Sequence, residues 1–347
     1  MAETNHAKVK LPHIRQVALV IEDLAETMEN YWNLLCIGPW EVYDMHPPAL
    51  HGVICQGKPV QSTCKVGMAS VGETEIELIQ PVSRDGVFGS FMAQHGEGLH
   101  HIQFMVDNIE PATRMMSEAG FPPVQSGHVA DGMYVYYDTL GKLKATWEAW
   151  KPPTKMSPDY IYPDKDAKAD GSKVKITRIT QVALVVKDLK ETMANYWNIC
   201  DIGPWDFLNL RPPTLSNTTY HGKPGQFTMN YALADVGNMQ MEPVEPVSGR
   251  SIYSDFLEEH GEGLHHLMFT ADNLDELARQ MNDKFPVLQS GYIEDGVFTY
   301  YDTVDALKTV WEIWQPGQID ARMERYPKYK DLLRDQADVS SPHYGDK

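Results

Sequence analysis

A glutamine, a glutamate, a histidine and a second glutamate recur twice along this chain, as Gln16, Glu77, His101, Glu148 and as Gln181, Glu242, His266, Glu312. One imidazole nitrogen, two carboxylates and an amide oxygen make a borderline-hard donor set. It suits Zn, Co, Ni, Mn or Fe(II) in an open site with room for water or substrate. The absence of thiolate argues against structural zinc, and the usual iron triad needs a second histidine. Glu77 and Glu148 sit among apolar neighbours (TEIELI at 74–79, ATWEAW at 145–150). A carboxylate left unpartnered there costs roughly several kcal/mol. Taken singly, a glutamine at a strand start is an ordinary surface residue, and His100-His101 is a turn with one core histidine. Recurrence decides otherwise, because the copies have diverged: 41–60 and 206–225 share little beyond Pro47-Pro48 with Pro212-Pro213 and the Gly-Lys-Pro at 57–59 and 222–224.

The elements that must position these residues are themselves duplicated. QVALVIEDL at 16–24 returns as QVALVVKDL at 181–189, ETMENYWN at 26–33 as ETMANYWN at 191–198, and HGEGLHH at 95–101 as the same string at 260–266. All are 165 residues apart; near the end the offset slips by one, where YYDT at 136–139 returns at 300–303. Solenoid periods are roughly 20–50 residues, so a whole domain has been copied. The expected division is a first domain at 11–151, a linker at 152–173, a second domain at 174–316 and a polar tail at 317–347. Pro152-Pro153, Pro158, Pro163 and Asp170-Gly171 mark the linker, and 321–335 in the tail has the pattern of a short helix.

A fainter repeat runs inside each copy. Gln16 opens one hydrophobic run and His101 another, and a helical stretch follows each. The first, 24–35, has apolar residues at helical spacing; the second opens on Pro111 and closes at Gly120. Each half then closes with a strand bearing a glutamate, Glu77 or Glu148. Gln16 and His101 thus stand in equivalent places, as do Glu77 and Glu148. Pseudo-symmetric packing of two such modules would bring all four side chains to one point.

Composition narrows the function. A net charge of −18 and a pI near 5.1 exclude nucleic acid as partner and disfavour anionic membranes. The acid is dispersed, the mark of a solvated surface. Residues 1–10 lack the apolar core of a secretory signal, and no stretch approaches the ~20 apolar residues of a membrane helix. Cys36, Cys55, Cys64 and Cys200 form no CxxC and do not follow the repeat, so free thiols in a reducing cytoplasm are expected. The expected partner is a small-molecule carbonyl compound, with a homodimer left open.

Within this setting the motif residues resemble the vicinal oxygen chelate superfamily. HGEGLHHI at 95–102, EIELIQP at 75–81 and VIEDL at 20–24 are similar to stretches of methylmalonyl-CoA epimerases. The resemblance covers both repeats and omits linker and tail. It implies an α+β fold of two tandem domains, each of two paired βαβββ modules forming a curved, mostly antiparallel sheet around a metal. The implied ligands are Gln16, Glu77, His101 and Glu148, then Gln181, Glu242, His266 and Glu312, with one divalent ion per domain. The epimerases have histidine at the first position, so Gln16 and Gln181 depart from them; a Gln/Glu/His/Glu set resembles zinc-type glyoxalase I. Where the epimerases carry a further acid, this chain has Gln61 and Gln226, amides that transfer no proton.

The chemistry shared by these relatives is removal of a proton beside a carbonyl, with the metal stabilising the enolate. Glu148 and Glu312 are the expected bases, with Glu77 and Glu242 as second acid/base groups. Substrate contacts are expected from Trp40, Trp205, Tyr137, Tyr301, His100, His265, Gln61 and Gln226. The aromatic rings among and near them suggest a planar or aromatic ketone. The principal reading is a metal-dependent isomerase, epimerase or racemase. A glyoxalase-type lyase, an oxygen-using ring-cleaving metalloenzyme and a non-catalytic ligand-sequestering protein stand beside it.

Overall fold

The computed structural model describes residues 11, 13–164, 174–318 and 324–326. Its first half runs β1 (Gln16–Val20), α1 (Leu24–Leu35), β2 (Trp40–Met45), β3 (Leu50–Cys55), β4 (Lys58–Pro59), β5 (Cys64–Val71), β6 (Thr74–Pro81), α2 (Gly86–His95), β7 (Gly98–Met105), α3 (Ile109–Glu118), β8 (Pro123–Val129), β9 (Gly132–Tyr137), α4 (Leu140–Leu143), β10 (Thr146–Lys151) and β11 (Tyr160–Tyr162). The second half repeats it as β12 (Ile176–Val185), α5 (Leu189–Cys200), β13 (Trp205–Leu210), β14 (Leu215–Tyr220), β15 (Lys223–Pro224), β16 (Thr228–Val236), β17 (Met239–Ser248), α6 (Ile252–Glu259), β18 (Gly263–Ala271), α7 (Leu274–Lys284), β19 (Val287–Ile293), β20 (Gly296–Tyr301), α8 (Val304–Leu307), β21 (Val310–Gln315) and β22 (Glu324–Tyr326).

Helix α1 spans Leu24–Leu35 as expected, while α3 begins at Ile109, two residues before Pro111, because Asn108 caps it by accepting from the backbone of Glu110. Asp23 and Asp188 cap α1 and α5 by accepting from the backbone of Glu26 and Glu191. Helix α1 lies tightly on the sheet at Gly67, where a Cβ would come within 3.0 Å of Leu24 and Met28 side-chain atoms. Each half forms one curved, mixed eleven-stranded sheet. In the first the order is β11-β2-β5-β6-β1-β7-β10-β9-β8-β3-β4. The two modules therefore meet along the antiparallel β1–β7 pair, and the β3–β4 hairpin reaches across to pair with β8 of the other module. That crossing curls the sheet into an incomplete barrel. Helices α2 and α6, which sequence periodicity did not announce, link the modules of each half.

The segments after each repeat do more than connect. Tyr160–Tyr162 of the linker pairs with β2, and Glu324–Tyr326 of the tail pairs with β13 in the corresponding place. The tail thus holds a strand at 324–326 where a helix was expected; the rest of 321–335 lies outside the described residues.

Both halves share one apolar core on the helix side of the sheets, including Tyr31, Trp40, Trp147, Tyr196, Trp205 and Trp311. Reciprocal hydrogen bonds cross it. Tyr31 donates to the Leu307 carbonyl at 2.8 Å and Tyr196 to the Leu143 carbonyl at 2.6 Å. Lys144–Glu262 at 2.9 Å and Lys308–Glu97 at 2.8 Å repeat the same exchange of partners between halves. The concave side of each sheet has a separate apolar lining, and there the candidate ligands lie. Among the described residues no helix is long and apolar enough to cross a membrane.

Candidate metal centres

Strand register brings the recurring residues together. Glu77 on β6 stands opposite Ala18, two residues past Gln16, and Glu148 on β10 stands opposite Gln103, two residues past His101. The second half repeats this, with Glu242 opposite Ala183 and Glu312 opposite Met268. Side chains two apart share a face, so each set projects from four adjacent strands of one sheet onto its concave side. His101 is the fourth residue of β7 rather than its first, and Gln181 the sixth of β12, because both strands start upstream of where the hydrophobic run suggests.

In the first half Nε2 of His101 lies 3.1 Å from Glu148 Oε2 and 3.4 Å from Glu77 Oε2. In the second, Nε2 of His266 lies 3.1 Å from Glu312 and 3.2 Å from Glu242. The three ligand atoms of Glu242, His266 and Glu312 all fall within 4.8 Å of one another. Gln16 and Gln181 are buried on the same faces. These groups converge without pairing properly: Glu77 Oε2, His101 Nε2 and Glu242 Oε2 are buried with no aligned hydrogen-bond partner. Buried, unpartnered donor atoms aimed at one point fit a shared cation. The donor chemistry and the geometry thus both fit a divalent metal.

The electrostatics agree. Burial disfavours charge on His101, yet the Glu148 and Glu77 carboxylates outweigh it and push the imidazole up to about 9; His266 is pushed up to about 9 in the same way. Burial raises Glu77 and lifts Glu242 to about 7, with the neighbouring histidine opposing. His100 and His265 are driven the other way, by burial and then by the adjacent histidine, and stay neutral.

Each of these neutral histidines is the extra residue of a β-bulge. In the β1–β7 pair Ala18 faces His101 and Leu19 faces Leu99, so His100 is skipped; β12–β18 skips His265 likewise. The bulge lets both rings approach each other, with Nδ1 to Nδ1 distances of 2.9 Å for His100–His101 and 2.8 Å for His265–His266. His100 and His265 thus orient the candidate ligands and line a different cavity, between the halves, instead of contacting substrate at the metal centre.

The other expected substrate contacts lie away from the clusters. Trp40, Trp205, Tyr137 and Tyr301 are buried in the shared helix-side core. Tyr137 shares a hydrogen bond with Thr113 and Tyr301 donates to the Ala278 carbonyl. Both strand faces are apolar here, so the aromatic pairs do not reveal which ring turns inward. Tyr136 and Tyr300 do, standing opposite Glu148 and Glu312. Gln61 and Gln226 are exposed on the approach to β5 and β16, and Gln61 is replaced in the cavity wall by Ser62.

A cavity of about 280 Å³ opens onto the first cluster. Phe88, Tyr134, Tyr136 and Trp150 form its aromatic walls, and Pro152, Pro153 and Met156 from the linker cover it. Gln103 was not anticipated. Its Nε2 donates to Gln16 Oε1 at 2.6 Å and to Glu148 Oε2 at 2.9 Å, tying up two ligand oxygens. It lies two residues past His101, so strand parity alone would have found it. The second site has Met268 there, and Tyr253 in place of Phe88, donating to Tyr300 at 2.7 Å. A hydrogen bond to a charged oxygen is worth roughly 1.5 kcal/mol, about tenfold in affinity. Gln103→Met is accordingly expected to raise metal affinity at the first site about tenfold, and a competition titration with a chromophoric chelator would read it.

With this geometry in view the comparisons are direct. A model of the glyoxalase/bleomycin resistance protein/dioxygenase superfamily matches residues 15–137 and 180–301. The chain belongs to that superfamily, and its two sheets are the tandem form of the vicinal oxygen chelate fold. Mitochondrial methylmalonyl-CoA epimerase from Homo sapiens is 30% identical over 103 residues, which is 29% of this chain and 51% of the epimerase. The chain thus spans about half the length of that relative. Uncharacterized protein YqjC of Bacillus subtilis is 26% identical over 109 residues, 31% of this chain and 68% of YqjC. Among solved structures, a triple mutant of 4-hydroxymandelate synthase from Streptomyces coelicolor superposes with a TM-score of 0.60 at 15% identity, over 93% of this chain and 97% of that one. A fusion of a xylose isomerase-like TIM barrel with 4-hydroxyphenylpyruvate dioxygenase gives 0.54 at 13% identity, over 91% and 51%. At these identities the likeness concerns the fold alone.

Proposed function

We propose that this protein is a metal-dependent isomerase that moves a proton at a carbon beside a carbonyl, an epimerase or racemase of a small aromatic ketone or thioester. The observation that carries this reading is the convergence of one histidine and two glutamates in each half, which in the first half borders a mostly apolar cavity. Gln16, Glu77, His101 and Glu148 would hold a divalent ion in the first half, and Gln181, Glu242, His266 and Glu312 in the second. Such an ion polarises a substrate carbonyl and balances the negative charge that grows on its oxygen.

The remaining work falls to the chain's own groups. Glu148, held by Gln103, takes the proton from the α-carbon; Glu312 does so in the second site. Glu77 and Glu242, on a different strand, serve as the second acid/base groups. Tyr136 and Tyr300 are buried so deeply that their hydroxyls stay protonated, which suits them to donate to substrate oxygen. The cavity excludes water from the reacting carbon, and its volume of about 280 Å³ limits the substrate to roughly a one- or two-ring compound.

Having a single histidine per cluster supports proton transfer over oxygen activation, whose usual iron triad has two. Elemental analysis of the purified protein tests the premise. Two equivalents of divalent metal per chain are expected; none, even after reconstitution, would leave a ligand-sequestering protein in its place.

A further inference from the structure

A cavity lies between the two halves, away from the concave faces that hold the candidate metal ligands. It encloses about 460 Å³; every first-half wall residue is answered by its repeat, and the second half adds His221, Ile252, Asp255, Glu259, Leu288 and Asp302. Phe91 and Phe256 stack edge-on against His100 and His265, with ring centroids 4.9 Å apart in both halves. Leu99 and Leu264 complete the apolar walls. Leu140 and Val304 stand at the rim, 50% and 43% exposed, although both are apolar.

The polar content is specific. His100 and His265 are more than nine-tenths buried and face this space. Each Nδ1 is engaged by the neighbouring histidine. Where His101 and His266 coordinate through Nε2, their Nδ1 carries the hydrogen and donates it. His100 and His265 then accept at Nδ1 and must carry their own hydrogen on Nε2. The cavity is thus left with an N–H donor on each side and no partner for either among the described residues. Lys144 and Lys308 also line it, but Glu262 and Glu97 neutralise them. Asp255 is paired with Arg250 at 2.6 Å, and Glu259 and Asp302 add negative charge, which disfavours anions.

We propose that this interdomain cavity is a binding site for an uncharged, flat aromatic compound with oxygen acceptors, held between Phe91 and Phe256 and hydrogen-bonded by His100 and His265. The assignment of the donors rests on the metal-ligand reading of His101 and His266. An occupant would touch the residues that orient one ligand in each centre, and so reports to both.

The test uses 7-methoxycoumarin, an uncharged fluorescent probe, titrated into the full-length metal-loaded protein by calorimetry and fluorescence. Saturable binding of one equivalent per chain is expected, since the cavity is single while the metal centres are two. His100→Phe and His265→Phe should each weaken it at least about fivefold, the loss of one hydrogen bond. Leu140→Trp with Val304→Trp, at exposed positions that tolerate bulk, should block the rim and abolish it. No saturable binding, two equivalents per chain, or binding indifferent to the rim variant would overturn the proposal. Metal content on the same sample separates this outcome from failure of the metal reading.

Discussion

Glu148→Gln and Glu312→Gln combined in one chain are expected to slow exchange of a substrate's α-proton with solvent by a factor of about 10³, within the usual range for a general base. The amide keeps an oxygen that can serve a metal, as Gln16 and Gln181 already would. It also keeps an acceptor for Gln103 in the first site, where Nε2 donates at 2.9 Å. What it removes is the ability to take a proton. Metal content measured alongside distinguishes loss of the base from loss of the ion. Each single variant should retain activity from the untouched half, because each cluster draws all its side chains from one sheet. Exchange unchanged in the double variant would reject Glu148 and Glu312 as the bases.

The second large effect is on metal affinity as pH changes. In the metal-free protein His266 is pushed up to about 9, burial being overcome by the Glu242 and Glu312 carboxylates, and burial lifts Glu242 to about 7. Both groups must give up protons to bind a cation, so affinity rises with pH. One proton is displaced between about pH 7 and 9 and nearly two below 7, which makes the increase about tenfold per unit in the upper range and steeper beneath it. From pH 6 to 9 the zinc dissociation constant should fall by about three orders of magnitude or more. The sign for stability is opposite. A raised histidine stabilises the metal-free fold fully below 6.5, and that contribution is lost as pH climbs through about 9; the raised glutamate's is present below 4.5 and lost through about 7. Melting temperature of the metal-free protein should therefore decline across this window, while the metal-loaded protein, with those protons already displaced, resists the decline. A flat affinity profile would mean that these residues are not the ligands.

Sequence made much of this legible where chemistry conflicted with surroundings. Glutamates in apolar strands, repeated at a fixed offset through diverged sequence, stood out without coordinates. The aromatic residues did not separate so cleanly. At 134–137 and at 300–301 both faces of the strand are apolar, so alternation cannot say which ring faces the cavity; that is fixed by pairing of Tyr136 with Glu148, a contact set by long-range register. The His100 bulge is equally silent, since HGEGLHH has no local signal for a skipped residue. Helix α2 carries no amphipathic signal because Val87, Phe88, Phe91 and Met92 share a face while Gly86, Gly89, Ser90 and Ala93 leave the opposite side without a polar contrast. Gln103 is legible in the sequence, two residues beyond His101 on the same strand face.

Proton exchange itself is the most direct probe of the proposed chemistry. Zinc- or cobalt-loaded protein would be incubated under argon in D₂O with a panel of aryl ketones and thioesters bearing an α-stereocentre, and deuterium uptake followed by NMR. The account predicts incorporation at the α-carbon of at least one compound, with loss of optical purity, no oxygen requirement, and abolition by chelator. Turnover of these compounds only when oxygen is admitted, or no exchange with any of them by fully loaded protein, would contradict it.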